Sequence, residues 1–289
     1  MTARLFLDAQ HGLCNRLRAM ASGAAIARAT GRELVVIWQA DAHCDCRLSD
    51  LIDYTGPVIE DAQTADLCRH LAARTYNYME IEPGSHFDEP ILAGEEAEVL
   101  AGQDIYIRSA YTLVSPLRHH EDEQRFLRAL VPGDPVLELL AGVRHPNQLA
   151  VHVRMGTGPV HDHLAWESPE NWPAERHREL SEWRARSHAR HFIARIDQLI
   201  AAGEAQTIFL AADLPETYAA FAERYGKRLA VLPRAHYDRS AVQLQYALAD
   251  LLLLTAADHF LASTWSSFSD LAQRLARPGR RFERSGEDF

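Results

Sequence analysis

Short apolar runs and helical periodicities alternate along most of this chain. Residues 3–9 are largely apolar and predict a first strand. After His11-Gly12-Leu13-Cys14-Asn15-Arg16, a small-residue stretch from Ala19 to Ala29 predicts a helix able to lie close to a sheet, capped by Asn15 and ended at Gly31. Glu33-Leu34-Val35-Val36-Ile37-Trp38 is a second, continuous apolar run, as in a strand of a parallel sheet. Strand, glycine-containing loop, helix and strand make a βαβ unit whose ligand-facing loop spans residues 10–16. Gly12 is a lone glycine there, so the loop is no dinucleotide fingerprint, and no Gly-Lys-Ser/Thr phosphate loop occurs anywhere.

The pattern weakens over 41–145. Residues 48–52 and 65–73 predict short helices, 105–107 a strand and 121–130 an amphipathic helix, with an acidic surface loop over 82–98. Pro132, Gly133, Pro135, Gly142 and Pro146 then punctuate the chain, which places a domain boundary near 145. Beyond it Leu149-Ala150-Val151-His152-Val153-Arg154-Met155-Gly156 is a strand ending at glycine, with His152 and Arg154 on one face. Residues 156–187 hold three prolines and predict a loop far longer than the usual βα connection of about 2–6 residues. Regular alternation follows: helices over 188–202, 215–225, 241–256 and 268–276, strands over 207–213, 229–232 and 259–263. The fold class is α/β, with a first domain over residues 1–145 that opens on the βαβ unit and a second, doubly wound domain over 146–289.

Composition narrows the function. A formal charge of −10 argues against a general nucleic-acid binder and confines any polyanion site to a local patch. The apolar runs, Leu251 to Leu254 among them, are too short for a membrane span, and Asp8 interrupts the N-terminus where a signal peptide would be apolar. Four cysteines, two of them Cys44 and Cys46, do not read as a secreted disulfide framework, so the expected setting is cytoplasmic.

The strand ends of the second half supply His152 and Arg154, then Asp213, then Thr264-Trp265-Ser266-Ser267. A guanidinium in fork geometry suits phosphate oxygens, and a Ser-Ser turn at a helix N-terminus offers hydroxyls and amides to the same group. A carboxylate at the next strand end accepts from ribose hydroxyls or from the N–H groups of guanine. Each residue also has a structural reading: Asp213 or Ser266 as a helix cap, His152 as a core histidine.

His-Val-Arg at a strand end, Phe-Leu-Ala-x-Asp (209–213), the Leu-x-Asp helix segment at 248–250 and Phe-Leu-x-Ser-x-x-Ser-Ser (260–267) together resemble the GDP-fucose-binding half of the bacterial nodulation and α1,6-fucosyltransferase group. Gly12-Leu13-Cys14-Asn15-Arg16 is similar to the Gly-Leu-Gly-Asn loop of that group. Residues 41–145 show little that matches. The resemblance implies a GT-B fold, two Rossmann-like domains facing each other across a cleft, and inverting, metal-independent transfer of fucose or a related sugar from a GDP-sugar to a glycan hydroxyl. It implies no cofactor beyond the donor. It makes 146–289 the donor domain, with Arg154 on the leaving diphosphate, His152 beside the nucleotide, Asp213 on guanine, and Thr264, Ser266 and Ser267 around the pyrophosphate. Gly12, Asn15, Arg16, His43 and Asp45 fall on the acceptor side. Pro159 stands where the group tends to carry a carboxylate, so the general base is sought at Asp162 or Glu167, with Asp8 a weaker option.

Two other readings stand beside this one. A relative that binds a GDP-sugar without transfer would explain Pro159. A metal-dependent hydrolase would use Asp41-Ala42-His43-Cys44-Asp45-Cys46, although the spacing matches no common zinc pattern. His161 and His163 are a weaker metal pair, and Trp166, Trp172 and Trp183 serve either sugar stacking or the core.

Overall fold

The computed structural model describes residues 2–80, 82–156, 174–235 and 237–289. The chain divides into two units, Met1–Gly133 with Arg239–Ala241, and Asp134–Asp238 with Val242–Phe289.

The first unit runs β1 (Arg4–Ala9), α1 (Leu13–Ala29), β2 (Glu33–Ile37), β3 (Ile52–Asp53), β4 (Val58–Ile59), α2 (Ala62–Leu71), β5 (Arg74–Tyr78), α3 (Glu96–Val99), β6 (Ile105–Ser109), α4 (His120–Ala129) and β7 (Val131–Pro132). Its main sheet has the order β4-β2-β1-β6-β5 and every pair in it is parallel. The predicted βαβ unit is present, with α1 starting earlier than expected. Gly12 occupies the cap, and its carbonyl accepts the amides of Asn15 and Arg16, so Asn15 lies inside the first turn. Gly31, at φ 62°, follows the helix end as expected. Gly23 lets α1 approach β1 closely: a Cβ there would meet Leu7 Cδ2 at 3.1 Å. Strand β5 was not foreseen, because Arg-Thr-Tyr-Asn-Tyr mixes polar and aromatic residues at the edge of the sheet.

The second unit runs α5 (Asp134–Ala141), β8 (Leu149–Val153), α6 (Ala174–Arg186), α7 (Ala189–Ala201), β9 (Ile208–Ala212), α8 (Pro215–Tyr225), β10 (Leu229–Ala230), α9 (Ala241–Thr255), β11 (His259–Ala262), α10 (Ser267–Leu275) and β12 (Arg281–Arg284). Its sheet order is β10-β9-β8-β11-β12, again wholly parallel. Strand β8 therefore sits centrally, and the chain reverses its direction of travel between β8 and β11. Leu149, Val151 and Val153 pack with Phe192, Ile196 and Leu199 of α7 and Phe221 of α8, the face that the periodicity of 188–202 predicts. Part of the long loop expected over 156–187 is helical instead. Helix α6 buries only Leu180, so it lacks the apolar stripe that announces a helix in sequence. No helix among the described residues is long and apolar enough to cross a membrane.

Phe192 is fully buried in this cluster. Phe192→Ala is expected to cost about 3–5 kcal/mol, read as a lower urea midpoint.

Candidate functional site

In a doubly wound sheet, ligands bind where neighbouring connections leave in opposite directions at the carboxyl ends of the strands. In the second unit that point lies between β8 and β11. Ser263, just past β11, ties it together: its hydroxyl donates to the His152 carbonyl (2.9 Å) and accepts from the Arg154 amide (2.8 Å). Sequence reasoning passed over Ser263, although it is the first serine of the Phe-Leu-x-Ser segment.

His152 is buried beside this strap. Its ring lies on Phe268 with centroids 4.7 Å apart, and Nδ1 meets Ser269 Oγ at 2.8 Å. Burial pushes its pKa down to about 3, so the imidazole is neutral at physiological pH. Arg154 lies beyond the strand end, with a fifth of its side chain exposed. One of its five N–H donors reaches Asp213 Oδ2 at 2.5 Å. The remaining edge of the fork has no partner among the described residues.

Asp213 is turned inward on its own unit. Besides Arg154 it accepts from the amides of Met155 (3.1 Å) and Gly156 (2.7 Å). Burial pushes its carboxyl up, but Arg154 and the two amides outweigh that and hold it below the ordinary range. It thus fixes the turn after β8, where the sequence reading had it accept from guanine. Thr264 is also diverted: it is buried, and its hydroxyl donates to Glu287 Oε1 at 3.0 Å. Ser266 is the N-cap of α10, accepting from the Ser269 amide at 3.3 Å, and Ser267 opens the helix. The helix N-terminus, Arg154 and the Ser263 strap therefore meet at one sheet edge.

A second polar group in this unit was visible only as part of a motif. Arg234 and Asp250 form a buried ion pair (2.5 Å), the guanidinium lying near the faces of Tyr218 and Tyr246. Burial raises the Asp250 pKa to about 6 despite Arg234. Arg234 Nε and Asp250 Oδ1 are both buried and have no hydrogen-bond partner among the described residues.

The first unit has its own reversal point, between β1 and β6. Arg16 is wholly buried below it. Its guanidinium donates to the His11 carbonyl (2.7 Å), the Gln39 carbonyl (2.8 Å) and Asp41 Oδ2 (2.7 Å), and it lies over Trp38. Asp41 Oδ1 in turn accepts the amides of His43 and Cys44. Arg16 thus orders the loops from within and does not face an acceptor. Gly12 is at φ −71°, and a Cβ there would meet only the His43 carbonyl, at 3.9 Å, so no steric need for glycine appears. Asn15 is half-buried on α1, and the Asp45 amide donates to the Arg239 carbonyl.

Asp8 is committed as well: its oxygens accept from Gln10, Tyr106 and Arg108, and it is buried. Asp162 and Glu167 lie outside the described residues, as do His161, His163, Trp166 and Trp172. Residues 41–46 do not converge as a metal-ligand set. Asp41 is spent on Arg16 and backbone amides, and the pair that meets is Cys44 and Cys46, with sulfurs 3.7 Å apart. Among the described residues no group of three or more His, Cys, Asp or Glu is placed to hold a metal ion.

Two outcomes follow. Arg16→Met leaves two carbonyls and Asp41 without their donor and is expected to cost about 3–5 kcal/mol in urea unfolding. Asp213→Asn is expected to cost about 2–3 kcal/mol at neutral pH, because a charge-assisted clamp is lost. Its folded pKa is depressed, so the native carboxylate contributes fully above the unfolded pKa of about 3.9 and loses that contribution as pH falls through the folded value. The stability gap between wild type and Asp213→Asn should therefore close in acid, as urea melts between pH 7 and pH 3 would record.

No protein-family model and no curated protein matches the chain. Solved structures do. NodZ α-1,6-fucosyltransferase soaked with GDP-fucose aligns with TM-score 0.58 at 15% identity over 95% of this chain and 93% of the other. Fucosyltransferase NodZ from Bradyrhizobium gives 0.58 at 14% identity over 96% and 94%. POFUT1 in complex with GDP-fucose gives 0.56 at 14% over 99% and 98%. At such identities the likeness is one of architecture: this chain has the GT-B fold, two parallel α/β sheets in one polypeptide, that these fucosyltransferases share.

Proposed function

We propose that this protein is a glycosyltransferase that moves a sugar, fucose or a close relative, from a GDP-sugar to a hydroxyl of a glycan or glycoconjugate. The observation that carries the reading is the placement of Arg154, tied through its amide to Ser263, and of the N-terminus of α10 at one edge of the second sheet, at its reversal point. One fold neighbour solved in complex with GDP-fucose and another soaked with it support the donor.

The chemistry follows from charge. Breaking the glycosidic bond leaves negative charge on the departing diphosphate, and groups already aimed there lower the barrier without reorganising. Arg154 supplies the open edge of a guanidinium whose other edge Asp213 holds still. The amides and Ser267 hydroxyl at the start of α10 add the positive end of a helix dipole. His152, neutral and stacked on Phe268, lines the nucleotide side as an uncharged wall. With Asp213 committed to Arg154, Asp250, whose Oδ1 has no hydrogen-bond partner among the described residues, accepts N–H groups of the base. Transfer is by inversion, without a metal, with Asp162 or Glu167 taking the proton of the attacking hydroxyl.

GDP is expected to raise the thermal midpoint by mass action on the folded state. Arg154→Ala should weaken GDP binding about 10–100-fold, the worth of a charge-assisted hydrogen bond or two. Arg154→Lys should recover only part of it, since an ammonium lacks the fork. Stabilisation by UDP or ADP with no response to GDP would overturn the donor assignment. GDP release from GDP-fucose in the presence of glycan acceptors separates a transferase from a protein that only binds the donor.

A further inference from the structure

Helix α6 carries no apolar stripe, yet its end is pinned to the carboxyl edge of the second sheet. Ser187, just past the helix, is fully buried, and its hydroxyl meets that of Ser285 at 3.1 Å. Ser285 Oγ in turn accepts from the Thr264 amide at 3.4 Å, beside the N-terminus of α10. Two residues on, the Ala189 amide at the start of α7 donates to Met155 Sδ at 2.9 Å, next to Arg154. The last turn of α6 is thus fixed against the ends of both β8 and β11. It carries two arginines, Arg184 and Arg186. Arg186 lies over the Trp183 ring, 4.7 Å from its centroid. Arg184 is half-buried, and its charge, with that of Arg154, weighs against a proton on His152, which sets it near that ring.

The other charges on this edge do not by themselves suit a diphosphate. Arg154 is offset by Asp213, which its partners keep ionised, and His152 is neutral. Glu287, which accepts from the Thr264 hydroxyl, adds a negative charge. Asp270 in the first turn of α10 is balanced by Arg284. The N-terminus of α10 supplies only about half a positive charge. Among the described residues, this edge is therefore slightly negative without Arg184 and slightly positive with it. A departing nucleoside diphosphate carries at least about two negative charges, so the sign of that balance decides whether it is held.

We propose that Arg184 is a second cation of the donor site, holding the diphosphate of the nucleotide from α6 while Arg154 holds it from the end of β8. The identity of that ligand rests on the transferase reading; the placement of Arg184 does not. A guanidinium attracts phosphate oxygens strongly where water is partly excluded, and its planar fork matches their spacing. Two such groups on separate elements compensate the leaving charge without reorganising as the glycosidic bond breaks. Asp213 steadies Arg154 at the cost of its net charge, and Arg184 restores that charge to the edge.

The test titrates the full chain with GDP, UDP and inorganic pyrophosphate in EDTA, by calorimetry at two salt concentrations. Arg184→Gln is expected to weaken every diphosphate that the wild type binds about 10–100-fold and to flatten the salt dependence. Arg184→Lys keeps the charge without the fork and is expected to lose about threefold to tenfold. Arg178→Gln, at an exposed arginine of the same helix, should stay within about twofold of wild type. The proposal is overturned if none of the three ligands binds the wild type, if Arg184→Gln binds as tightly as wild type, or if Arg178→Gln loses as much. Thermal midpoints without ligand report whether each variant is folded; if Arg184→Gln is not, wild-type affinity in Arg184→Lys overturns the proposal instead. Binding of UDP or pyrophosphate with this dependence, and no response to GDP, would remove the guanine reading and leave Arg184 in its role.

Discussion

A parallel sheet sends the carboxyl ends of all its strands to one edge, and both five-stranded sheets of this protein are wholly parallel. That constraint brings together residues far apart in sequence. Arg154 and Ser263 are joined through one hydroxyl although more than a hundred residues separate them. In the first unit Asp8 and Arg108 meet for the same reason, their strands being neighbours in parallel register. The chemistry of each unit gathers at the point where the chain reverses its direction of travel.

What sits at each reversal point is a loop, and loops need something to hold them. Both units answer with an arginine–aspartate pair that also grips backbone. In the first, Arg16 takes two carbonyls and Asp41 takes two amides. In the second, Asp213 takes two amides while pairing with Arg154. Charged groups satisfied in this way are expensive to remove, because their partners would be left buried and unpaired. The difference lies in which member faces outward. Arg16 is wholly inside, so its unit presents His11 and His43, whereas Arg154 keeps part of its fork open.

Much of the second unit was legible in advance. Strands β8, β9 and β11 and helices α7, α8, α9 and α10 carry continuous apolar runs or one apolar stripe, and burial on both faces of a parallel sheet is what writes such runs. Strand β12, with the sequence Arg-Phe-Glu-Arg, and strand β5 lie at sheet edges, where one side is not paired and polar residues are tolerated. Helix α6 is polar nearly all round and gave no stripe to read. Residues 82–98 were expected as loop and contain only the one-turn α3.

The candidate residues divide along the same line. Sequence by itself determined the fold class, the strand ends where chemistry would sit, and the residue types available there, since periodicity and residue spacing are local properties of the chain. It could not say which way a side chain would spend its hydrogen bonds. Asp213 and Thr264 have the chemistry of ligand-binding groups yet are consumed by Arg154 and Glu287. The resemblance put Arg16 on the acceptor side, and it is fully buried. His11 stands just before Gly12, and only its φ of 63°, with Arg16 holding its carbonyl, singles it out. Each of those outcomes depends on a partner brought close by folding, so only the tertiary structure decided it.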